Sequence, residues 1–316
     1  MKKVLVTGAS GFIGKHLCSK LNKLNWNVYG TVRKFDFHSS HYDFKAIAVD
    51  EINSNTNWGN ALKNVDYIIH CAGKAHLINE NDNVNMYHST NTEGTKNLAQ
   101  QAVEAGVKKL IFLSSVKVNG ESTNDISNNK IFTNNSKIDP KDPYSVSKFE
   151  GEKLLWKISS ETDLEVVVVR LPLVYGKGVK GNLARLIKLV RSGIPLPFSM
   201  IVNKRTMIGI DNLVDLLIRC IDHVDAAGKT FLVSDGKDIS TPELIKLIAL
   251  SMEKRAYLFP LPISLLKFLG SIFGKRKEIN RLVGSLRVDN NYVREKLNWT
   301  PPISIEEGIR RMVQGK

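Results

Sequence analysis

Cysteine is scarce in this sequence. Only Cys18, Cys71 and Cys220 occur among 316 residues, and they lie far apart. Three scattered thiols favour neither a disulfide framework nor a C-x-x-C metal clamp. We therefore expect no bound metal and a reducing environment such as the cytoplasm.

Long apolar runs are also missing. No stretch of 18 apolar residues occurs, and the best candidate, LFPLPISLLKFLGSIFG, contains two prolines and Lys267. Glycines interrupt the apolar residues near Met1 and no small-residue cleavage pattern follows, so we expect neither a signal peptide nor a transmembrane span. Because Lys275, Arg276 and Lys277 follow the apolar segment, peripheral contact with an anionic membrane is an alternative to the simpler interpretation, a packed helix with a basic solvent edge.

Acidic residues are outnumbered. The sequence has 31 Asp and Glu against 45 Lys and Arg, which gives a net charge of +14. This excess favours anionic partners. Since the basic residues are spread along the chain, a solvated basic surface is the simplest interpretation, and we expect no nucleic-acid partner.

Short, nearly all-apolar segments alternate with helix-like segments in the first half of the sequence. The strand candidates are KVLVTG, NVYGTV, KAIAVD, VDYIIHCAG, KKLIFLSS and LEVVVVRLP. This alternation predicts an α/β fold, a Rossmann-like doubly wound parallel sheet whose ligands bind at the carboxyl ends of the strands. We expect a dinucleotide-binding domain over residues 1–176 and a smaller, mainly substrate-binding lobe over residues 177–316, with some later segments returning to the sheet.

Three glycines in VLVTGASGFIG lie between the first strand and the first helix. A tight turn at this point brings backbone N–H groups and the helix N-terminus to a pyrophosphate. The predicted turn contains Gly8, Ser10, Gly11, Phe12, Ile13 and Gly14. Its G-x-x-G-x-x-G spacing resembles that of the short-chain dehydrogenase/reductase superfamily.

Later motifs resemble the extended branch of this superfamily that acts at C4 of nucleotide sugars. The segment RLPLVYG, which begins at Arg170, is similar to the R-x-x-x-V-Y-G motif of that branch. KLNWTPP followed by EEG is similar to its closing signature. The resemblance covers essentially the whole chain and implies a UDP-sugar substrate and a homodimer.

The residues after the second predicted strand bear on which dinucleotide binds. GTVRK offers no carboxylate to the ribose hydroxyls, and Arg33 can pair with the 2′-phosphate of NADP. We therefore expect NADP(H) rather than NAD(H); the alternative is that Arg33 is a solvated loop charge. By resemblance, Asp50 contacts the adenine. The HCAG loop, by the same resemblance, places Cys71, Ala72 and Gly73 beside the cofactor.

The YSVSK segment places Tyr144 and Lys148 four residues apart on one face of a predicted helix. A free tyrosine has a pKa of about 10, but a nearby ammonium group stabilises the phenolate and makes it a usable proton carrier. Tyr144 and Lys148 are thus expected to contact both cofactor and substrate. By resemblance, Ser115 hydrogen-bonds the reacting oxygen, with Ser114 as its close rival. Asn91 matches the structural asparagine of the cofactor site.

Candidate substrate contacts come mostly from the second half. By resemblance, Arg205 contacts the diphosphate of a UDP-sugar, and Pro195 belongs to a loop near the nucleotide. Arginine suits bidentate phosphate contacts, which makes Arg281 and Arg287 further candidates. The complete set is Lys117, Asn182, Pro195, Arg205, Arg281 and Arg287.

The resemblance specifies the reaction less closely. A dehydratase of this branch needs an Asp-Glu pair just after the catalytic Ser or Thr, where this sequence has Val116 and Lys117. Two activities remain that share hydride exchange at C4: a 4-keto-sugar reductase of surface polysaccharide synthesis, and a UDP-glucose or UDP-N-acetylglucosamine 4-epimerase with retained NAD. Because Arg33 favours exchangeable NADPH, we expect the reductase and keep the epimerase as the alternative. A non-catalytic dinucleotide sensor is disfavoured by the intact Tyr144 and Lys148.

Overall fold

The computed structural model describes residues 1–33, 42–49, 51–75, 83–124 and 130–315. Asp50, the expected adenine contact, lies outside the described residues. Parallel strands form a seven-stranded sheet in the order β3-β2-β1-β4-β5-β6-β9. These strands are β1 (Lys3–Thr7), β2 (Asn27–Val32), β3 (Lys45–Ala48), β4 (Tyr67–His70), β5 (Lys109–Ser115), β6 (Glu165–Leu171) and β9 (Lys229–Leu232).

The sheet is wound in two directions from β1. Strands β2 and β3 lie on one side of it, and β4, β5 and β6 lie on the other. The turns after β1 and β4 therefore diverge at the carboxyl ends of the strands, which is where dinucleotides bind in such folds. The predicted doubly wound parallel sheet is confirmed.

A smaller sheet lies in the second half of the chain. Strand β8 (Arg205–Gly209) pairs in parallel with β7 (Leu173–Tyr175) and antiparallel with β10 (Asp238–Ile239). Strand β9 also comes from the second half, yet it pairs with β6 in the main sheet. The two sheets are thus connected through the segment that leads from β8 to β10.

Helices connect and cover the strands. They are α1 (Phe12–Lys23), α2 (Gly59–Leu62), α3 (Asn83–Tyr87), α4 (Gly94–Glu104), α5 (Pro143–Glu161), α6 (Gly181–Arg191), α7 (Ile210–Asp222), α8 (Thr241–Ser251), α9 (Ile263–Ile272), α10 (Arg276–Val283), α11 (Asn291–Leu297) and α12 (Ile305–Gln314). Among the described residues, none of these helices is long and apolar enough to cross a bilayer.

Helices cover both faces of the main sheet. Alternate strand residues point to opposite faces and therefore enter different cores. In β1, Val4 and Val6 pack in one core with α1 and α7, whereas Leu5 packs in a second core with α2, α4 and α5. This arrangement explains why the strands are nearly all apolar. A third core joins α6, α8 and α12 in the C-terminal lobe.

Candidate active site

Glycines shape the turn after β1. Gly8 has a φ of +64°, a region that favours glycine. The Gly11 amide donates to the Gly8 carbonyl over 2.9 Å, and α1 begins directly after it at Phe12. A Cβ atom on Gly14 would lie only 2.3 Å from the Gly8 oxygen. The turn and the helix can therefore approach this closely only with glycine at that position.

The N-terminus of α1 fits a pyrophosphate. Gly11 is the N-cap residue, and among the described residues no side chain caps the first amides of the helix. Such amides, together with the positive end of the helix dipole, bind phosphate. Ser10 and Gly11 are exposed at this point, while Phe12 and Ile13 are half-buried. The predicted residues of the turn are thus brought together in a form that suits a dinucleotide.

The loop after β4, which begins at Cys71, packs against this turn. The Ala72 amide donates to Thr7 Oγ1 over 3.1 Å. A Cβ atom on Gly73 would lie 3.0 Å from the Nζ atom of Lys148. The loop therefore lies between the phosphate turn and the predicted catalytic lysine, beside the expected path of the cofactor.

His70, which precedes this loop, was missed by sequence analysis. It is buried, and its Nδ1 and Nε2 atoms lie 2.6 Å from Thr7 Oγ1 and 3.1 Å from Thr95 Oγ1. Because the Thr95 hydroxyl donates to the Asn91 carbonyl, it accepts from His70, which assigns the neutral Nε2–H tautomer. Burial, with a smaller effect of the Lys148 charge, lowers the pKa of His70 to about 3. The sequence signal was its place in the HCAG segment, at the end of an apolar strand, although His70 itself was not among the predicted site residues.

Asn91 lies in a π-helical turn, His88–Glu93, of the type often found at functional sites. Its side-chain amide accepts from the Lys74 backbone amide and donates to the Lys74 carbonyl, both over 3.0 Å. It also donates to Ser147 Oγ over 3.0 Å. Asn91 therefore connects the loop after β4 with α5.

Helix α5 begins with a complete cap. The Asp142 carboxylate accepts from the Ser145 amide over 2.7 Å, and the Asp142 amide donates to Ser145 Oγ over 3.2 Å. Pro143 occupies the first turn, where its missing N–H has no cost. These contacts fix the helical turn that carries Tyr144.

The predicted catalytic side chains meet beneath this turn. Burial raises the pKa of Tyr144 to about 12, and the Ser115 side chain, which lies beside the Tyr144 hydroxyl, has a smaller effect that lowers this pKa. Lys148 is buried one turn further along α5, where its Nζ atom donates to the Leu113 carbonyl over 2.9 Å. Burial lowers the pKa of Lys148 to about 8. Because a positive charge on Lys148 would favour the phenolate, Tyr144, Ser115 and Lys148 are together the candidates to hold and move a proton.

Ser114, the rival of Ser115, belongs to a different network. Neighbouring strand residues point to opposite faces, and the Ser114 hydroxyl donates to the buried carboxylate of Glu152. Glu152 also accepts two hydrogen bonds from Arg170, whose Nη1 atom donates to Asn119 over 3.1 Å. This network connects β5, α5 and β6. Ser114 is thus held by this network, whereas Ser115 lies beside Tyr144.

Lys117 is paired within the protein. Its ammonium group forms ion pairs with Asp142 and with Glu121. Since Asp142 is the N-cap of α5, the pair joins the segment after Ser115 to the start of the catalytic helix. Its contacts favour a positioning role over the predicted substrate contact.

Arg33 is exposed and directly follows β2. It lies at the carboxyl edge of the sheet, as the prediction of a ribose-proximal residue requires.

Three predicted arginines converge at the start of β8. The Arg205 guanidinium donates to the backbone carbonyls of Arg281 and Gly284, and burial lowers the pKa of Arg205, with a further contribution from the Arg281 charge. Arg287 forms an ion pair with Asp238 over 2.7 Å. Arg281 is exposed. The cluster is therefore cationic, but two of its three side chains already hold protein partners.

The other two predicted substrate residues lie around α6. Asn182 is exposed in the first turn of this helix, and Pro195 is exposed shortly after its end. Neither residue takes part in the contacts that join the three arginines.

The chain matches a known protein family. The NAD dependent epimerase/dehydratase family matches residues 4–234. A UDP-glucose 4-epimerase from Vibrio cholerae is 42% identical over 99% of this chain and 95% of its own length. The chain therefore belongs to the NAD-dependent epimerase/dehydratase family. This finding confirms the resemblance to the extended short-chain dehydrogenase/reductases.

More distant proteins share the fold over the whole chain. The crystal structure of UDP-glucose 4-epimerase from Thermotoga maritima has a TM-score of 0.77 at 21% identity and covers 99% of this chain and 98% of its own. UDP-glucuronic acid 4-epimerase from Bacillus cereus, in complex with NAD, has a TM-score of 0.78 at 20% identity with the same coverage. These structures show a common fold for both halves of the molecule.

Proposed function

We propose that this chain is a UDP-hexose 4-epimerase that retains NAD. The observation that carries the proposal is the 42% identity to the Vibrio cholerae UDP-glucose 4-epimerase over nearly the full length of both chains. The convergence of Ser115, Tyr144 and Lys148 near a pyrophosphate-binding turn supports it.

Tyr144 is the proton carrier in this proposal. Held at the turn that contains Gly8, Gly11 and Gly14, NAD would supply reversible hydride transfer at sugar C4. The Tyr144 phenolate takes the proton of the C4 hydroxyl, and Ser115 holds the same oxygen by a hydrogen bond. Because burial raises the pKa of Tyr144 to about 12, the charge of Lys148 is needed to make the phenolate accessible near neutral pH.

The sequence favoured a 4-keto-sugar reductase and kept the 4-epimerase as the alternative. The present proposal prefers the 4-epimerase. The sequence-based preference for the reductase depended on Arg33 and on NADP(H). The comparisons lend NADP(H) no support, since the matching family is described as NAD dependent and the Bacillus cereus epimerase was solved with NAD. We assign Arg33 to the solvated edge of the cofactor site.

The arginine cluster at the start of β8 is proposed to receive the diphosphate of the UDP-sugar. Arg281 is exposed and suits a bidentate phosphate contact. Arg205 is held by backbone carbonyls and adds positive potential behind it. A homodimer and a cytoplasmic location stay predictions from the sequence.

The test supplies substrate without cofactor. Freshly purified protein is incubated with UDP-glucose, and separately with UDP-N-acetylglucosamine, and the products are resolved by chromatography. We expect conversion to the C4 epimer of at least one substrate and release of NAD on denaturation. Tyr144→Phe, which keeps the ring and removes the hydroxyl, should retain the NAD and lose turnover by about 100-fold or more.

Two outcomes would contradict the proposal. Turnover that requires added NADPH and a 4-keto sugar would establish the reductase. Equal product levels for the wild type and Tyr144→Phe would exclude Tyr144 as the proton carrier.

A further inference from the structure

Helix α9 exposes an apolar stripe. Leu265, Phe268 and Ile272 are 42%, 62% and 61% exposed. Their spacing of three and four residues places them on one face of the helix. Phe273, which follows the helix, is 73% exposed. Large apolar side chains are seldom exposed in such a contiguous row without a partner surface.

The other face of α9 is already packed. Leu266 and Gly270 are buried, and a Cβ atom on Gly270 would lie 2.6 Å from the Ile279 side chain of α10. The helix is therefore held in place by that face. Its exposed stripe is not needed to attach α9 to the rest of the lobe.

Basic residues border the stripe. Lys267 is exposed within α9, and Lys275 and Arg276 are exposed two and three residues after Phe273. Glu278 lies 3.9 Å from Lys275 and offsets part of this charge. An apolar helix face flanked by Lys and Arg is the pattern of helices that lie in the interface of anionic membranes.

The positive charge beside the stripe indicates which partner would bind this surface. A second copy of the chain would bring an identical basic cluster to the same contact, and like charges disfavour such pairing. The net charge of +14 adds to that repulsion. An anionic phospholipid surface is complementary to both features, since its headgroups attract the cations and its acyl boundary accepts the apolar side chains.

We propose that α9 and residues 273–277, together the α9 surface, dock the protein reversibly on a bilayer of anionic phospholipids. The helix lies in the plane of the interface with Phe268 and Ile272 in the acyl boundary. Lys275 and Arg276 lie at the headgroups. The docking is independent of catalysis because none of these residues belongs to the candidate active site.

The test measures binding of the full chain to vesicles. Sedimentation with vesicles of phosphatidylglycerol and phosphatidylcholine is compared with sedimentation with phosphatidylcholine alone. The double variant F268S/I272S and the charge variant K275Q/R276Q are each expected to weaken binding to the anionic vesicles by about 10-fold or more. V224S is the matched control, because Val224 is 79% exposed but lies outside the α9 surface, and it should bind like the wild type.

Three results would overturn the proposal. The first is that the wild type binds neither type of vesicle. The second is that F268S/I272S binds anionic vesicles as well as the wild type does. The third is that F268S/I272S changes the oligomeric state without changing vesicle binding. The last would assign the stripe to a second copy. Thermal unfolding and epimerase assays on the same variants check that fold and turnover are retained, so failure here is distinguishable from failure of the proposed function.

Discussion

The two halves of the molecule form their candidate ligand contacts from different groups. In the first half, the phosphate turn depends on backbone amides and on the absence of side chains at Gly8 and Gly14. In the second half, three of the predicted contacts are long cationic side chains, and one of these, Arg287, is already paired with Asp238. A backbone site is specified by local sequence, whereas the availability of a charged side chain depends on which partners the fold brings to it.

The largest expected effect is a loss of NAD affinity when the turn after β1, in the first half of the molecule, is changed. In Gly14→Ala the new Cβ would lie 2.3 Å from the Gly8 oxygen, so the turn must open. We expect NAD affinity to fall by about 200-fold, or ~3 kcal/mol, measured by fluorescence titration of protein stripped of nucleotide. Gly59→Ala is the control, because its Cβ would meet only the movable Asn57 side chain at 3.2 Å, and it should bind NAD normally. Equal affinities for the two variants would show that the turn is not the cofactor site.

A second prediction compares adjacent serines. Ser115→Ala removes the hydroxyl that lowers the pKa of Tyr144 and should lower kcat by about 100-fold with little loss of stability. Ser114→Ala leaves the buried Glu152 carboxylate with one partner fewer, so it should cost ~1–3 kcal/mol of stability and change kcat much less. Urea unfolding and initial rates on both variants separate the roles, and the reverse pattern would assign catalysis to Ser114.

The third prediction concerns pH and stability. The native pKa of His70 is lowered to about 3, against 6.5 for a free histidine, so the unfolded chain binds a proton at acidic pH that the folded chain excludes. His70 therefore destabilises the fold progressively as the pH falls from 6.5 towards 3. Between about pH 7 and about pH 5 the wild type should lose ~2 kcal/mol more unfolding free energy than His70→Gln, measured by urea unfolding. An equal loss in both proteins would contradict the buried neutral tautomer.

The smallest expected effect concerns the arginines at the start of β8. Arg281→Gln should raise KM for the UDP-sugar by about 10-fold with unchanged stability, because its side chain is exposed. Arg287→Gln removes the ion-pair partner of Asp238, which keeps its hydrogen bond from Thr206, and should lower stability as well, by ~1 kcal/mol or more. Steady-state kinetics and thermal unfolding distinguish the two. If Arg287→Gln alone raised KM, the diphosphate would be assigned to Arg287.

The contrast between the halves also explains what the sequence could predict. The strand alternation and the spacing of the glycines are local patterns, and the sheet they predicted is confirmed. The positions of Tyr144, Ser115 and Asn91 follow from that topology, because parallel strands end at one edge. The pairing of Lys117 with Asp142 and the buried histidine between Thr7 and Thr95 depend on segments far apart in the chain. No local pattern indicates such contacts.

The proposed epimerase returns the hydride to the sugar that donated it, and isotope labelling tests this most directly. UDP-glucose deuterated at C4 is incubated with purified protein, without added cofactor, and the product is analysed by mass spectrometry and NMR. We predict a C4 epimer that retains its deuterium at C4, with Tyr144→Phe forming little product. An epimer that has lost the deuterium to solvent, or no epimer until NADPH and a 4-keto sugar are supplied, would contradict the account.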